Sequence, residues 1–308
     1  MTNVTEDGIF ITKMNQALGE QQAGLVWFFS ALNIFLSITA SLGNALILIA
    51  LHKVSSIYPP TKLFFRCLAV TDLCVGLVVQ PLFLTSRVLV PFTDMDVKAL
   101  YYIDEAYNNS AQILCGVSLF ISTAISVDRL LALLLGLRYR HVVTLRRVQV
   151  VIICLWLIDG SMVAISISRP WGRNIATLFI PICITLSVAT SSFCYTRIHL
   201  RLRHHQAQPL NSVPQGQPNQ GGIPLNIARY EKTVASVLWV QLALIVCYTP
   251  IGITVVLQVA AGIESPAALV TAHSLALFNS SLNPLLYCWK IKQVKKAVKD
   301  TLRKLYCF

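Results

Sequence analysis

The stretch CLAVTDLCVGLVVQPLFLTS, Cys67 to Ser86, decides the fold, because its twenty residues carry a single charge, at Asp72. About 20 mostly apolar residues let a helix cross the hydrocarbon core of a bilayer. Runs of the same kind, free of charge or broken by one acid, recur at Leu25–Leu51, Ala106–Val127, Val148–Ser168, Asn174–Thr196, Thr233–Ile263 and Ser265–Trp289. With Cys67–Ser86 they make seven. Backbone groups in lipid have no water to bond, so each run must satisfy its own N–H and C=O groups as a helix. A β-barrel would alternate apolar and polar residues in short segments, and these runs are continuously apolar. The expected fold is therefore an all-α membrane protein, a seven-transmembrane helix bundle.

The composition agrees. Across 308 residues, 55% are hydrophobic and 12% charged, which fits neither soluble domains nor a disordered chain. The 25 Lys and Arg exceed the 13 Asp and Glu to give +12, and the excess is sorted by membrane side. With the N-terminus outside, only Lys13, Arg87, Lys98, Arg169 and Arg173 fall on the outer face, leaving 20 basic residues inside. Positive charge marks the cytoplasmic side, and an odd number of spans puts the C-terminus there too. A surface so divided suits membrane lipids and gives no reason to expect a nucleic-acid partner.

Residues 1–24 form a polar outer segment without the basic start and apolar core of a signal peptide. The bundle occupies 25–289. Its only long connection, 203–229, is rich in Gln, Pro, Asn and Gly and reads as a disordered third cytoplasmic loop. In the tail 290–308, Ile291, Val294, Val298, Leu302 and Leu305 recur at helical spacing among lysines, the pattern of a short amphipathic helix on the cytoplasmic surface.

Polar residues inside spans are unfavourable in lipid and mark function or helix association. Asp72 needs a cation, a proton or several donors, and Asn44, Asn279 and Asn283 lie in other spans. Hydrogen bonds between helices, about 0.6–2 kcal/mol each in lipid, would give these residues a purely structural role as well. Asp159, beside Gly160 and Ser161, is expected only to face the bundle and is assigned no function. Asp128-Arg129 closes the third span, followed by the basic connector Gly136-Leu137-Arg138-Tyr139-Arg140. Cys247-Tyr248-Thr249-Pro250 in the sixth span and Asn283-Pro284-Leu285-Leu286-Tyr287 in the seventh place proline inside a helix, where it breaks the hydrogen-bond ladder.

These markers, together with Gly43-Asn44 in span 1, Leu68-Ala69 in span 2 and Trp156 in span 4, occur in order, so the chain resembles the rhodopsin-like (class A) G-protein-coupled receptors. The resemblance implies a plasma-membrane receptor that takes an extracellular ligand and activates a heterotrimeric G protein by outward movement of span 6. It implies no enzymatic activity. Asp72, Ser118, Asn279 and Asn283 match positions that bind an allosteric sodium ion, and oxygen ligands suit such a cation. Asp128, Arg129, Tyr195, Tyr248, Pro250, Asn283, Pro284 and Tyr287 match the activation switch and coupling cleft.

Several positions depart from the family. Leu130 replaces the tyrosine of the Asp-Arg-Tyr triplet, and Tyr248 replaces the tryptophan before the span 6 proline. Tyr230 stands where many members carry the acid that pairs with the arginine, with Glu231 one helical step away, so a loose resting lock is expected. Span 5 has Ser187 in place of its usual proline. All nine cysteines lie in spans or inside, and Asp104 holds the position of the usual outer disulfide. A short second outer loop without cysteine is similar to the melanocortin, cannabinoid and lysophospholipid receptors. The second acid of the melanocortin pair is absent, because Asn108 stands there. Ala111 lacks the acid of aminergic receptors, and Leu277 lacks the lysine of opsins. A peptide or lipid ligand is thus expected ahead of a monoamine.

The expected pocket comprises Asp104, Glu105, Asn108 and Gln112, with Cys115 and Tyr248 at its floor. Asp94 and Asp96 read as a solvated rim. For Asp104, contact with a cationic ligand and a place on that rim both stay open. Asn3 begins a glycosylation motif, whereas the matches at Asn108 and Asn279 fall within spans and are set aside. Cys307 follows the tail helix as a candidate for palmitoylation. A transporter or ion channel is the alternative function, but no internal repeat or paired broken helices support it. No facing nucleophile and base, paired aspartates or metal cluster supports an intramembrane enzyme.

Overall fold

A computed structural model describes residues 23–88, 96–168, 172–207, 224–263, 265–290 and 292–306. Asn3, Asp94 and Cys307 lie outside them, as do the side chains of Tyr230 and Glu231. The described residues are helical almost throughout: α1 Ala23–Lys53, α2 Pro59–Val88, α3 Val97–Leu135, α4 Leu145–Ser168, α5 Gly172–Ala207, α6 Pro224–Ala261, α7 Pro266–Lys290 and α8 Lys292–Tyr306. One expectation needs correction, since α5 continues to Ala207 and α6 begins at Pro224, so both ends of the loop 203–229 are helical. A helix makes its backbone bonds within its own segment, so α5 and α6 can extend beyond their apolar stretches.

Six of the helices are long and apolar enough to cross a membrane, and α7 falls short on apolarity alone. Its 25 residues span about 37 Å at 1.5 Å per residue. What dilutes it is His273, Ser274, Asn279, Ser280, Ser281 and Asn283, and four of these, Ser274, Asn279, Ser280 and Ser281, are at most 5% exposed. The bundle is therefore polar at its centre and apolar outside, where Leu42, Leu157, Phe193 and Leu285 are exposed. Lipid supplies no hydrophobic drive between helices, so close packing and buried hydrogen bonds hold them together.

Helix α3 touches α2, α4, α5 and α7. Small residues allow close approach elsewhere. A Cβ built on Gly43 of α1 would lie 2.9 Å from Pro284 Cγ of α7. Proline has no N–H for the carbonyl four residues back. Here that carbonyl belongs to Ser280, and Asn44 Nδ2 donates to it at 3.0 Å. Helix α2 solves a similar problem through the wide π-turn Val75–Val79, in which bonds reach back five residues. Pro81 leaves Gly76 O without its donor, and Ser37 Oγ of α1 supplies one at 2.7 Å. At the inner end, Val294 and Ala297 of α8 are buried in the core, and Lys53 Nζ of α1 donates to Thr301 Oγ1 at 2.8 Å. The left-handed Gly136, with φ of 51°, ends α3 at the connector.

Candidate functional site

Asp72 is 0% exposed and gathers three neutral donors. Ser118 Oγ of α3 and Ser280 Oγ of α7 both reach Oδ1, at 2.9 and 2.8 Å, and Asn283 Nδ2 reaches Oδ2 at 2.6 Å. Among the described residues no cationic side chain pairs with it. Two serine hydroxyl oxygens thus converge on an unneutralised carboxylate, ligands of the kind a hard monovalent cation takes, while Asn283 presents its amide nitrogen. Asn279 does not join. Its Nδ2 donates to Tyr248 Oη at 3.3 Å, and that hydroxyl donates to Cys115 O at 3.4 Å. Ser280 Oγ takes the place assigned to Asn279.

Arg129 lies at the inner end of α3. Its Nη2 meets Asp128 Oδ2 at 2.6 Å and Thr61 Oγ1 of α2 at 2.8 Å. Asp128 also accepts from Thr61 at 3.1 Å and from Tyr139 Oη of the connector at 2.6 Å. The acid is 3% exposed and the arginine side chain 30%, so the guanidinium is clamped on one side and open on the other. Tyr195 Oη receives a bond from Ser126 Oγ at 2.9 Å, and Tyr287 packs against Phe65 with ring centroids 5.0 Å apart and planes tilted by 59°. Both tyrosines are buried, and Tyr287 Oη has no hydrogen-bond partner.

A cavity of about 470 Å³ opens in the half of the bundle away from Arg129, lined by all of Asp104, Glu105, Asn108, Gln112, Cys115 and Tyr248. Its charge pattern differs from expectation. Asp104 is 5% exposed, which removes it from any rim, and Arg87 of α2 holds it through Nε at 2.6 Å and Nη2 at 3.1 Å. Asn108 Nδ2 adds a bond at 2.9 Å. A two-point guanidinium contact of this kind balances the acid, so Asp104 does not act as a free anion toward a cationic ligand. Beside it, Tyr107 Oη and His273 Nδ1 lie 2.6 Å apart, both packed on Phe83, tying α3 to α7.

Sequence reasoning missed Arg87, His273, Thr61 and Ser280. Arg87 was available as one of three outer cations at span ends, with Arg169 and Arg173, and Thr61 lies before its span begins. The remaining two are ordinary polar residues in an apolar run. Asp159, set aside in the sequence, is 2% exposed and lines the cavity. The eight described cysteines are all free thiols.

The sequence pattern described as "7 transmembrane receptor (rhodopsin family)" matches residues 43–174 and 162–287. Among curated proteins the chain is similar to melanocortin receptor 5 of Mus musculus, 25% identical over 316 residues, covering 97% of this chain and 90% of that one. It is also similar to trace amine-associated receptor 9 of Homo sapiens, 24% identical over 293 residues, covering 86% and 81%. Trace amine-associated receptor 2 of Mus musculus is 23% identical over 294 residues, covering 84% and 80%.

Proposed function

The chain belongs to the rhodopsin family of seven-transmembrane receptors, and on that premise we propose that it binds an extracellular ligand in its outer cavity and activates a heterotrimeric G protein from its inner face. One observation carries the reading. Helix α3 lines the cavity with Cys115 and, three and fourteen residues on, carries Ser118 of the Asp72 cluster and the clamped Arg129. Tyr248 of α6 touches the same stretch, through Cys115 O, two residues before Pro250. Ligand at the cavity floor would shift Tyr248, and the broken ladder at Pro250 lets the inner part of α6 swing outward. The guanidinium of Arg129, released from Asp128 and Thr61, would then meet the G protein. An outside N-terminus and a cytoplasmic C-terminus follow from the charge sorting, and a plasma-membrane location from the family.

A sodium ion held by Asp72, Ser118 and Ser280 would supply positive charge to the knot and oppose that rearrangement. Ala111 lines the cavity without an acid, which favours a peptide or lipid ligand over a monoamine held at that position. The relatives are named for melanocortin and for trace amines, and neither name settles the choice. Purified receptor in lipid nanodiscs should accelerate GTP exchange on at least one of a set of G proteins, and Arg129→Ala should remove the acceleration. Ion flux across sealed vesicles with no exchange on any G protein would overturn the reading in favour of a channel.

A further inference from the structure

Among the described residues, the cavity contains an acid with no counter-ion. One guanidinium, Arg87, faces three carboxylates, Asp104, Glu105 and Asp159, and Arg87 is already bound to Asp104. Glu105 stands one residue after Asp104, in the outer turns of α3. Asp159 belongs to the middle of α4 and is 2% exposed. The backbone N–H of Val117 approaches its carboxylate, yet Oδ2 has no hydrogen-bond partner. Gly116 makes the room for it. A Cβ on that residue would lie 2.3 Å from Asp159 Oδ2, so any other side chain would push the carboxylate away. Aromatic rings of Phe120 and Phe179 line the same cavity.

An acid that served only to join helices would be filled by donors, as Asp72 is by three. A buried carboxylate left short of partners is unfavourable in a low-dielectric wall, and a bound cation relieves it directly. The geometry points to Asp159 as the anchor of the ligand: a protonated amine or guanidinium, whether on a small molecule or on the tip of a peptide, with an aromatic or apolar body filling the rest of the cavity. The inference rests on the cavity being the ligand pocket. It removes the objection that Ala111 raises to an amine, because the acid is carried by α4 instead of α3.

The test is equilibrium binding to the full-length receptor in phosphatidylcholine nanodiscs, without G protein, read as the rise in unfolding temperature with probe concentration. The probes are 2-phenylethylammonium, its neutral isostere 2-phenylethanol, and the dipeptide amide Arg-Phe. At least one cation should bind saturably and the neutral isostere should not. Which cation binds separates the small-molecule source from the peptide source. Asp159→Asn should weaken that cation by roughly tenfold or more, the scale of a lost hydrogen bond to a charged group. Gly116→Ala should do the same without altering charge, and it decides the matter alone if Asp159→Asn yields no folded receptor. The proposal is overturned if neither cation binds, if the alcohol binds as well as the amine, or if Glu105→Gln carries the loss and Asp159→Asn does not. Cation binding without GTP exchange would overturn the receptor reading and leave this one standing.

Discussion

Two buried aspartates in this bundle have opposite surroundings. Asp72, 0% exposed, has Ser118, Ser280 and Asn283 on its oxygens, drawn from α3 and α7. Asp159, 2% exposed, faces a cavity with one oxygen unpartnered. Burial alone does not distinguish them, and the chemistry of their neighbours does. A carboxylate ringed by donors from other helices holds the bundle together and can exchange a donor for an ion. A carboxylate set in a cavity wall against a glycine, with an oxygen left unpartnered, is arranged for something that enters the cavity. The inner half of the molecule is built of the first kind, Asp72 and Asp128, and the outer half mixes Asp104, closed by Arg87, with Asp159.

The sharpest way to break this comparison is to remove each acid in turn. Asp72→Leu strands three buried donors, at about 1–3 kcal/mol for each one left unsatisfied. The expected result is a receptor that barely folds, seen as lost surface expression and a collapsed unfolding temperature. Asp159→Leu should fold far better, because no side-chain donor depends on it. Equal destabilisation of the two would show that Asp159 is structural after all.

The outer ion pair gives the next effect. Arg87→Ala leaves the buried Asp104 without its guanidinium, and breaking a buried ion pair in this way costs about 3–5 kcal/mol in comparable sites. Removing both partners in Arg87→Ala/Asp104→Ala should recover more than half of that loss in the unfolding temperature. A double variant no better than the single one would mean that Arg87 acts through its packing on Tyr107, at 6.0 Å from the ring, and not through its charge. A smaller effect tests the Asp72 knot as an ion site: replacing potassium by sodium should lower basal GTP exchange in the wild type and leave Asp72→Asn unmoved. Equal sodium sensitivity in both would remove the ion from the account.

The comparison also explains what could be read from the sequence. Seven spans were legible because lipid forces long apolar runs, and the acids stood out because each interrupts one. Asp128-Arg129 and Asn283-Pro284 were legible for the same reason, as polar or helix-breaking pairs where neither belongs. Ser280 and Thr61 were not. A hydroxyl disturbs an apolar run too little to be noticed, and its role depends on which helix stands opposite. Arg87 and Asp104 are 17 residues apart on different helices, and no periodicity within either helix brings them together. Asp159 was expected to face the bundle and does, but the sequence shows only an acid in a span and cannot show whether a cavity or a donor stands beside it.

Glycine pairs give the smallest and most discriminating test. At Gly43 an added Cβ meets Pro284 at 2.9 Å, in the contact between α1 and α7, so Gly43→Ala must push two helices apart. Overpacking of this kind costs about 1–3 kcal/mol, and the strain falls beside Ser280 and the Asp72 cluster. Gly160 adjoins Asp159, and nothing lies within 4 Å of the Cβ it would gain. Alanine there removes backbone freedom from the unfolded chain without a clash, worth about 0.5–1 kcal/mol in a helix interior. The expected outcome is a higher unfolding temperature for Gly160→Ala, with binding of the cationic probe retained, while Gly116→Ala on the facing helix loses it. Both variants add one methyl group near the same carboxylate. If Gly160→Ala also lost the probe, the space around Asp159 would be sensitive to any change in α4, and the assignment of that space to a ligand through Gly116 would no longer hold.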